Sequence, residues 1–404
     1  MKRRILFVDD EPNVLQGLKR VLREMRNEWD MDFVESGNKA LEILQKSSFD
    51  VIVSDIRMKE MDGIEFFKKV MNLYPKIIRI VLSGQSDKEF TIKSSHIAHQ
   101  YLVKPCDPDE LKSRLSHIYE IQGALSNNSL IDVVSKIKTL PILPTIYTEI
   151  LKALESFDAN TNDIGKIISK DVGITAKILQ LVNSAFLGLR TRIVNIEQAV
   201  TYLGIDIIKS LVLSNYIFYN VDAKKNIKNF INKLWNHSLS TGIISRLIAY
   251  KENPDLVDCA FLAGLLHDCG KIIFLINFPD QYETIIESSQ SKENVIFEKE
   301  MGIFGTSHAE IGAYLMSLWG LPMPVIEAIL YHHFPLKYSK QEFTPLTSVY
   351  VANFLSRKNE STENDLEENP SFEIEYLSKL RLLNRLPIWQ NSCQGIILEE
   401  NLHE

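Results

Sequence analysis

The apolar residues of this chain change their period once, and that change restricts the fold more than any single motif. Up to about residue 122, short apolar runs alternate with helix-spaced segments. "RILFVDD", "MDFVES", "FDVIVSD", "IIRIVLSG" and "QYLVKP" read as strands, while "VLQGLKRVL" and "LEILQK" carry apolar residues at helical spacing. Strands alternating with helices predict a parallel sheet wrapped by helices. "GALSNNSL", residues 123–130, is small and polar and marks a junction. Beyond it "IYTEILKALESF", "DIGKIISK", "ITAKILQLVNSAF" and "IEQAVTYLG" place apolar residues at i, i+3 and i+4, and no convincing strand run follows. The expected class is α/β followed by all-α. The expected boundaries are 1–122, a linker at 123–130, a helical domain at 131–356, and an acidic loop with a C-terminal helix at 357–404.

Composition narrows the function classes. A chain of 404 residues, 45% of them hydrophobic, can build the cores of two or three domains. A formal charge of −7 gives no basic field for nucleic acid. No unbroken apolar run approaches the ~20 residues needed to cross a bilayer. "MKRRILFVDD" passes from its charges straight into a strand pattern rather than a signal peptide. The four cysteines, at 106, 259, 269 and 393, have no metal-type C-x-x-C spacing. These features lead to the expectation of a cytoplasmic protein with neither nucleic acid nor membrane as partner.

In an open parallel sheet, chemistry sits at the carboxyl ends of the strands. The polar residues fall there: Asp9 and Asp10 end the first strand, Asp55 the third and Ser83 the fourth, and Lys104 follows the fifth. Three converging carboxylates repel one another unless a hard cation neutralises them, and Mg²⁺ suits a few carboxylates, waters and a phosphate. A cation beside Asp55 would orient an incoming phosphoryl group, Lys104 can contact phosphate as a point charge, and the Ser83 hydroxyl can bond a phosphoryl oxygen. These residues resemble the receiver domain of two-component response regulators, over about residues 1 to 122. The resemblance implies a flavodoxin-like (βα)5 doubly wound fold with Asp55 as phosphoacceptor. It implies Mg²⁺ held by Asp10, Asp55 and the backbone carbonyl of Arg57, with Asp9 acting through water. It makes Ser83 and Tyr101 the switch pair and Lys104 the phosphate contact. It also implies a sensor histidine kinase as partner. One departure is Lys59, where the family usually has proline; it alters loop stiffness and adds a charge but removes no ligand.

"AGLLHDCGK", residues 263–271, places His267 directly before Asp268 in an apolar, helix-like run. Adjacent helical positions lie about 100° apart, so the pair could grip one ion from one rim of a pocket. Five of the nine histidines lie between 237 and 333. Together with "LPILP", "DVGITAKILQLVNSAF", "IVNIEQAVTYLG", "LWNHS", "SHAEIGAYLMSLWGLP", "AILYHH" and "VYVANFLS", the stretch resembles the HDOD domain over about residues 128 to 356. That domain is a relative of the HD phosphohydrolases and is generally regarded as non-catalytic. The resemblance implies an all-helical, HD-like fold. It matches His237 to the first metal ligand, His267 and Asp268 to the HD pair, and His308 and His332 or His333 to the added histidines of two-metal enzymes. The last helix should supply an aspartate but has Asn353, and the Gly-Tyr-Pro segment of the cyclic-dinucleotide branch is missing. A neutral amide compensates cation charge poorly, so weak binding of Fe, Mn or Zn is the expectation.

Smaller features have milder readings. The Asn183–Ser184 pair suits a cap or a bridge between helices, Gly204 a helix C-cap, and Pro322 with Pro324 a helix stop and restart. Residues 357–375 hold seven acids and two bases, as a solvated loop does. Residues 376–389 form an amphipathic helix that could pack back on the domain, line a homodimer contact or bind a partner. Two functions from different classes remain. The first is a regulatory protein whose output domain acts on an unknown downstream protein or ligand when Asp55 is phosphorylated. The second is a metal-dependent HD-type phosphohydrolase or cyclic-dinucleotide phosphodiesterase gated by the receiver.

Overall fold

The apolar runs of the first hundred residues become the strands of one sheet. In the computed structural model these are β1 (Arg3–Val8), β2 (Trp29–Val34), β3 (Val51–Asp55), β4 (Ile78–Gly84) and β5 (Gln100–Lys104). All pairings are parallel and the spatial order is β2-β1-β3-β4-β5, a doubly wound sheet. The structure describes residues 2–74, 77–84, 98–104, 109, 111–112, 115–116, 119, 128–137, 145–154, 160–183, 193–219, 225–289, 293–360 and 374–400. Every residue of β3 is buried, as befits a strand covered on both faces. Helices α1 (Pro12–Val21), α2 (Gly37–Lys46) and α3 (Gly63–Leu73) begin at local signals. α1 has proline in its first turn, Ser36 caps α2 by accepting from the Lys39 N–H, and Asp62 caps α3 by accepting from the Glu65 N–H. Leu6, Val8, Ile52, Phe66, Phe67 and Val70 lie in the core beneath α2 and α3. Helix α4 (Asn128–Lys136) follows.

The remaining described residues are helical, in agreement with the change of period. They form α5 (Thr145–Leu154), α6 (Thr161–Ser169), α7 (Val172–Val182), α8 (Ile196–Leu203), α9 (Ile205–Tyr219), α10 (Lys225–Glu252), α11 (Val257–Leu266) and α12 (Cys269–Asn277). Then come α13 (Pro279–Ser289), α14 (Glu293–Phe304), α15 (His308–Leu318), α16 (Met323–Tyr331), α17 (Pro345–Glu360), α18 (Ile374–Lys379) and α19 (Leu386–Glu400). The chain divides into two compact units, residues 1–142 with 314–321 and residues 143–313 with 322–404. Asn183 bridges as its residue type suggests: its amide donates to the Ile193 carbonyl and its oxygen accepts from the Ile193 N–H. Gly204 ends α8 at φ +86, a conformation that favours glycine.

The axis of the helical unit is α10, 28 residues and about 42 Å long. It packs along α11 and α17. Two glycines let α10 and α11 touch: a Cβ at Gly264 would stand 2.6 Å from the Gly242 Cα. The stretch read as one helix through His267 and Asp268 is instead broken at that pair. α11 ends at Leu266 and α12 starts at Cys269, with Asp268 at φ −101, ψ 7 in the corner. The break brings the first turn of α12 against the start of α15, where a Cβ at Gly270 would lie 2.0 Å from the His308 carbonyl oxygen. The segment Pro254–Asn277 is long and apolar enough to span a membrane by length and composition, although polar residues interrupt its run. Its most apolar window is 83% buried inside the protein.

The stretch 376–389, expected as one amphipathic helix, is broken: α18 ends at Lys379, Arg381 turns at φ 58, and α19 begins at Leu386, with both helices packed on this unit. Trp389 and Cys393 of α19 share a core cluster with Ile244, Tyr350, Val351 and Leu355. Glu252, near the end of α10, accepts from the Trp389 indole N–H at 2.8 Å and from Arg385 at 2.6 and 2.9 Å. Trp389 is fully buried, so Trp389→Ala should lower the stability of the helical unit by about 3–5 kcal/mol. Urea unfolding followed by circular dichroism measures this; a loss under about 1 kcal/mol would show that α19 is not part of that core.

Candidate functional site

Two clusters of ionisable side chains stand out. The first follows from sheet register. Val8 of β1 pairs with Ser54 of β3, so Asp9 and Asp55 emerge side by side at the carboxyl edge. Asp9, Asp10 and Asp55 each offer a carboxylate oxygen within 4.8 Å of the others. Asp9 Oδ1 accepts from the Glu11 N–H at 3.0 Å, and Asp10 Oδ2 from the Lys59 N–H at 3.2 Å. Lys59 therefore serves the site through its backbone, and its ammonium stands 3.8 Å from Asp10. Asp55 Oδ1 accepts from the Ile56 N–H at 2.8 Å. Lys104 spans the edge, its Nζ 2.6 Å from Asp9 Oδ2 and 3.1 Å from Asp55 Oδ2. Gly63 allows the loop after β3 to fold close, because a Cβ there would meet the Asp55 carbonyl oxygen at 2.5 Å.

Burial raises the pKa of the Asp55 carboxyl, against the lowering effect of Lys104, and the Asp9 charge adds to the rise. Burial alone would lower that of Lys104, but its bond to Asp9 and the charges of Asp55 and Asp9 outweigh it. Three carboxylates facing Lys104 and the exposed Lys59 ammonium still leave excess negative charge. The donor set is all oxygen, which suits a hard divalent cation. Arg57 follows β3 with its side chain exposed. Ser83 lies on β4 opposite Val103, and Tyr101 on β5 opposite Val81; the side chains of Ser83 and Tyr101 lie outside the described residues.

The second cluster is buried in the helical unit, and all seven residues expected there converge. His237 comes from α10, His267 and Asp268 from the corner between α11 and α12, and His308 from the start of α15. His332 and His333 follow α16, and Asn353 lies on α17. Asp268, His308, His332 and His333 form one possible metal-binding group, and His237, His267 and Asp268 another. His267 and His332 each place Nδ1 against a backbone carbonyl, Gly264 at 2.8 Å and Ile329 at 2.7 Å. Each Nδ1 must therefore carry the proton, and each Nε2 turns a lone pair to the pocket. Asp268 Oδ1 faces His308 Nε2 at 3.2 Å, whereas His267 Nε2 and His332 Nε2 are buried without a hydrogen-bond partner. Such atoms are costly unless something binds them, and imidazoles with a carboxylate fit a transition metal.

Burial lowers the pKa of the His267 imidazole to about 3 and holds that of His332 well below its usual value, with His333 and His267 adding to the effect. Both are neutral, as metal ligands must be. Burial alone would raise the Asp268 carboxyl, but His267, Lys271 and His308 outweigh it and hold it well below the carboxylate range. Lys271 Nζ is 2.7 Å from Asp268 Oδ2. His308 behaves oppositely to its neighbours. Burial would lower it, yet the Glu300 charge and hydrogen bond, 2.6 Å from Nδ1, together with the Asp268 carboxylate outweigh burial and lift it to about 9.

Several of these partners escaped the sequence reading. Lys271 is three residues after Asp268 and Arg357 four after Asn353, so helical spacing contained both contacts. Glu300 carried no signal, since the chain turns at Gly305 (φ +66) before reaching His308. Tyr282 donates to the other Glu300 oxygen at 2.6 Å.

Comparison with known proteins agrees with both halves. A family model for the response regulator receiver domain matches residues 5–116, and one for the HDOD domain matches residues 140–335. An uncharacterized protein of Treponema pallidum (strain Nichols) is 32% identical over 233 residues, covering 56% of this chain and 44% of that protein. The hydrogenase transcriptional regulatory protein HoxA of Cupriavidus necator is 35% identical over 141 residues, covering 34% of this chain and 28% of its own. The chain thus spans less than half the length of these curated relatives. An HDOD domain protein of unknown function from Geobacter sulfurreducens aligns with a TM-score of 0.51 at 23% identity, covering 72% of this chain and 96% of its own. A protein of Shewanella amazonensis SB2B, provisionally described as a phosphohydrolase, aligns at 0.51 and 22%, covering 68% and 97%. At these identities the two structures show the fold alone.

The lifted His308 value has a measurable consequence. A histidine whose folded pKa exceeds its unfolded one adds stability that is fully present below about 6.5 and is lost as pH rises through about 9. An NMR titration of the imidazole protons should place the His308 midpoint near 9. Glu300→Gln should bring it down. A midpoint near the ordinary histidine value would show that Glu300 does not hold the charge.

Proposed function

This chain joins a response regulator receiver domain to an HDOD domain, in that order, and from that premise we propose that phosphorylation of Asp55 controls an HDOD output acting through contacts rather than turnover. A sensor histidine kinase supplies the phosphoryl group. Asp10, Asp55 and the Arg57 carbonyl would hold Mg²⁺, with Asp9 acting through water, and the ion would offset charge on the transferring group. The observation that carries the reading is the Lys104 bridge. Its ammonium already touches Asp55 Oδ2, while the Ile56 N–H occupies Oδ1. A fixed cation therefore stands beside the Asp55 carboxylate, placed to receive the phosphoryl oxygens. Ser83 and Tyr101 couple that event to the surface, and the downstream response is a changed contact with a protein or ligand, or changed self-association.

Asn353 favours a non-catalytic output. The oxygen that faces the pocket is neutral and already accepts from His237 and Arg357. A phosphohydrolase remains the second reading, and the unpartnered Nε2 atoms of His267 and His332 favour it.

Incubation with a small phosphodonor and Mg²⁺ should label Asp55. Asp55→Ala should abolish the label, and Lys104→Ala should slow it on the order of 10²-fold. Labelling that persists elsewhere in Asp55→Ala would remove the receiver role. The full chain, given excess Mn²⁺ or Fe²⁺ with Asp55 phosphorylated or not, should hydrolyse no phosphomonoester or cyclic dinucleotide at an enzymatic rate. Turnover above about 1 s⁻¹ that disappears in His267→Ala would establish the phosphohydrolase instead.

A further inference from the structure

The two halves of the buried pocket are not equivalent, because hydrogen bonding determines which imidazole nitrogens carry protons. Arg357 Nε stands 2.8 Å from the side-chain oxygen of Asn353. A guanidinium N–H can only donate. The atom facing it must therefore be the amide oxygen and not the nitrogen, which removes the usual ambiguity of an asparagine. The same oxygen lies 3.0 Å from His237 Nε2. It can only accept, so Nε2 of His237 carries the proton. The other ring nitrogen, Nδ1, faces the Ser356 hydroxyl at 3.2 Å, and that hydroxyl also contacts Thr241 at 3.2 Å. Both nitrogens of His237 are thus engaged, and the one beside Asn353 has no free lone pair.

His267 and His332 are fixed in the opposite tautomer, each with its Nε2 lone pair open. His308 Nδ1 is held by Glu300 at 2.6 Å, which directs Nε2 toward His333 Nε2 at 2.8 Å and Asp268 Oδ1 at 3.2 Å. His332 Nε2 stands 3.7 Å from the same carboxylate oxygen. One half of the pocket therefore gathers four donor residues, Asp268, His308, His332 and His333, in which a metal would take the place of the His308 Nε2 proton while Glu300 keeps its hold on Nδ1. The other half keeps only His267 and Asp268 once His237 is withdrawn. Metal sites of this chemistry rest on at least three protein ligands.

We propose that the HDOD pocket is a mononuclear transition-metal site on Asp268, His308, His332 and His333, and that Arg357, acting through Asn353, closes the second metal position by holding His237 in its Nε2–H tautomer. Arg357 is a positioning residue here, its charge one hydrogen bond from the Asn353 oxygen that a second cation would otherwise meet. The proposal rests on the metal affinity expected of this pocket, not on turnover or on Asp55 chemistry. It explains why six of the seven positions can keep their residue types while the pair of metals is lost: a single exchange at position 353, secured by the arginine one turn later, disables one half and leaves the other intact.

The test is Co²⁺ binding to the full chain in millimolar Mg²⁺, which occupies the all-oxygen receiver site. Visible absorption reports cobalt held by imidazole nitrogen, and equilibrium dialysis counts the ions. Wild type should take up one Co²⁺ per chain with such a spectrum. His237→Ala should keep that ion and its spectrum, and His332→Ala should lose both. His237→Gln serves in place of the alanine variant if circular dichroism shows the latter unfolded. Asn353→Asp combined with Arg357→Ala should take up a second ion. Two ions in wild type, or loss of the single ion in His237→Ala with retention in His332→Ala, would overturn the assignment. No bound Co²⁺ in wild type would overturn the metal affinity itself while leaving the Asp55 reading untouched.

Discussion

The helical unit depends on backbones that meet with no side chain between them. Gly242 on α10 and Gly264 on α11 approach so closely that a Cβ on Gly264 would lie 2.6 Å from its partner's Cα. Gly270 stands in the same relation to the His308 carbonyl. These two contacts set how far His237, His267, Asp268 and His308 are from one another, since each sits within a turn or two of one of them. A larger residue at Gly264 would separate the helices and the imidazoles with them. Packing is thus the first determinant of the pocket chemistry, and hydrogen bonding the second.

The two clusters solve the problem of concentrated charge differently. At the sheet edge, three carboxylates face the ammonium groups of Lys104 and Lys59, and the register of β1 against β3 brings two of those carboxylates side by side. The edge therefore favours a divalent cation and an incoming phosphoryl group. In the helical pocket, the buried carboxylates of Asp268 and Glu300 are answered by Lys271 and by imidazoles whose pKa values shift in opposite directions. Glu300 raises the His308 pKa while burial lowers those of His267 and His332. Neighbouring histidines thus do different work because their other nitrogens face a carboxylate in one case and a carbonyl in the others.

Much of the receiver half was legible because its signals are local. Strand runs end in acids, and in a parallel sheet the strand ends share one edge, so Asp9, Asp10, Asp55 and Lys104 could be placed together before any coordinates. The helical half was legible as a set of residue types but not as a geometry. The break at His267 and Asp268 was read as helix because the flanking residues are apolar on both sides, and nothing local announces that α12 must turn to meet α15. Arg357 and Lys271 sat at helical spacing from Asn353 and Asp268 and could have been noticed. Glu300 could not, since a turn of undetermined path separates it from His308.

The sequence by itself determined the change from a wound sheet to a helical array, the set of acids at the strand ends, and the exchange of an aspartate for Asn353. Each is a property of residue type and period along the chain, and those survive without coordinates. Only the tertiary structure decided which nitrogen of each histidine carries a proton. That depends on whether the atom 3 Å away is a carbonyl, a carboxylate or an amide oxygen held by an arginine, and those atoms come from helices that lie far apart in sequence.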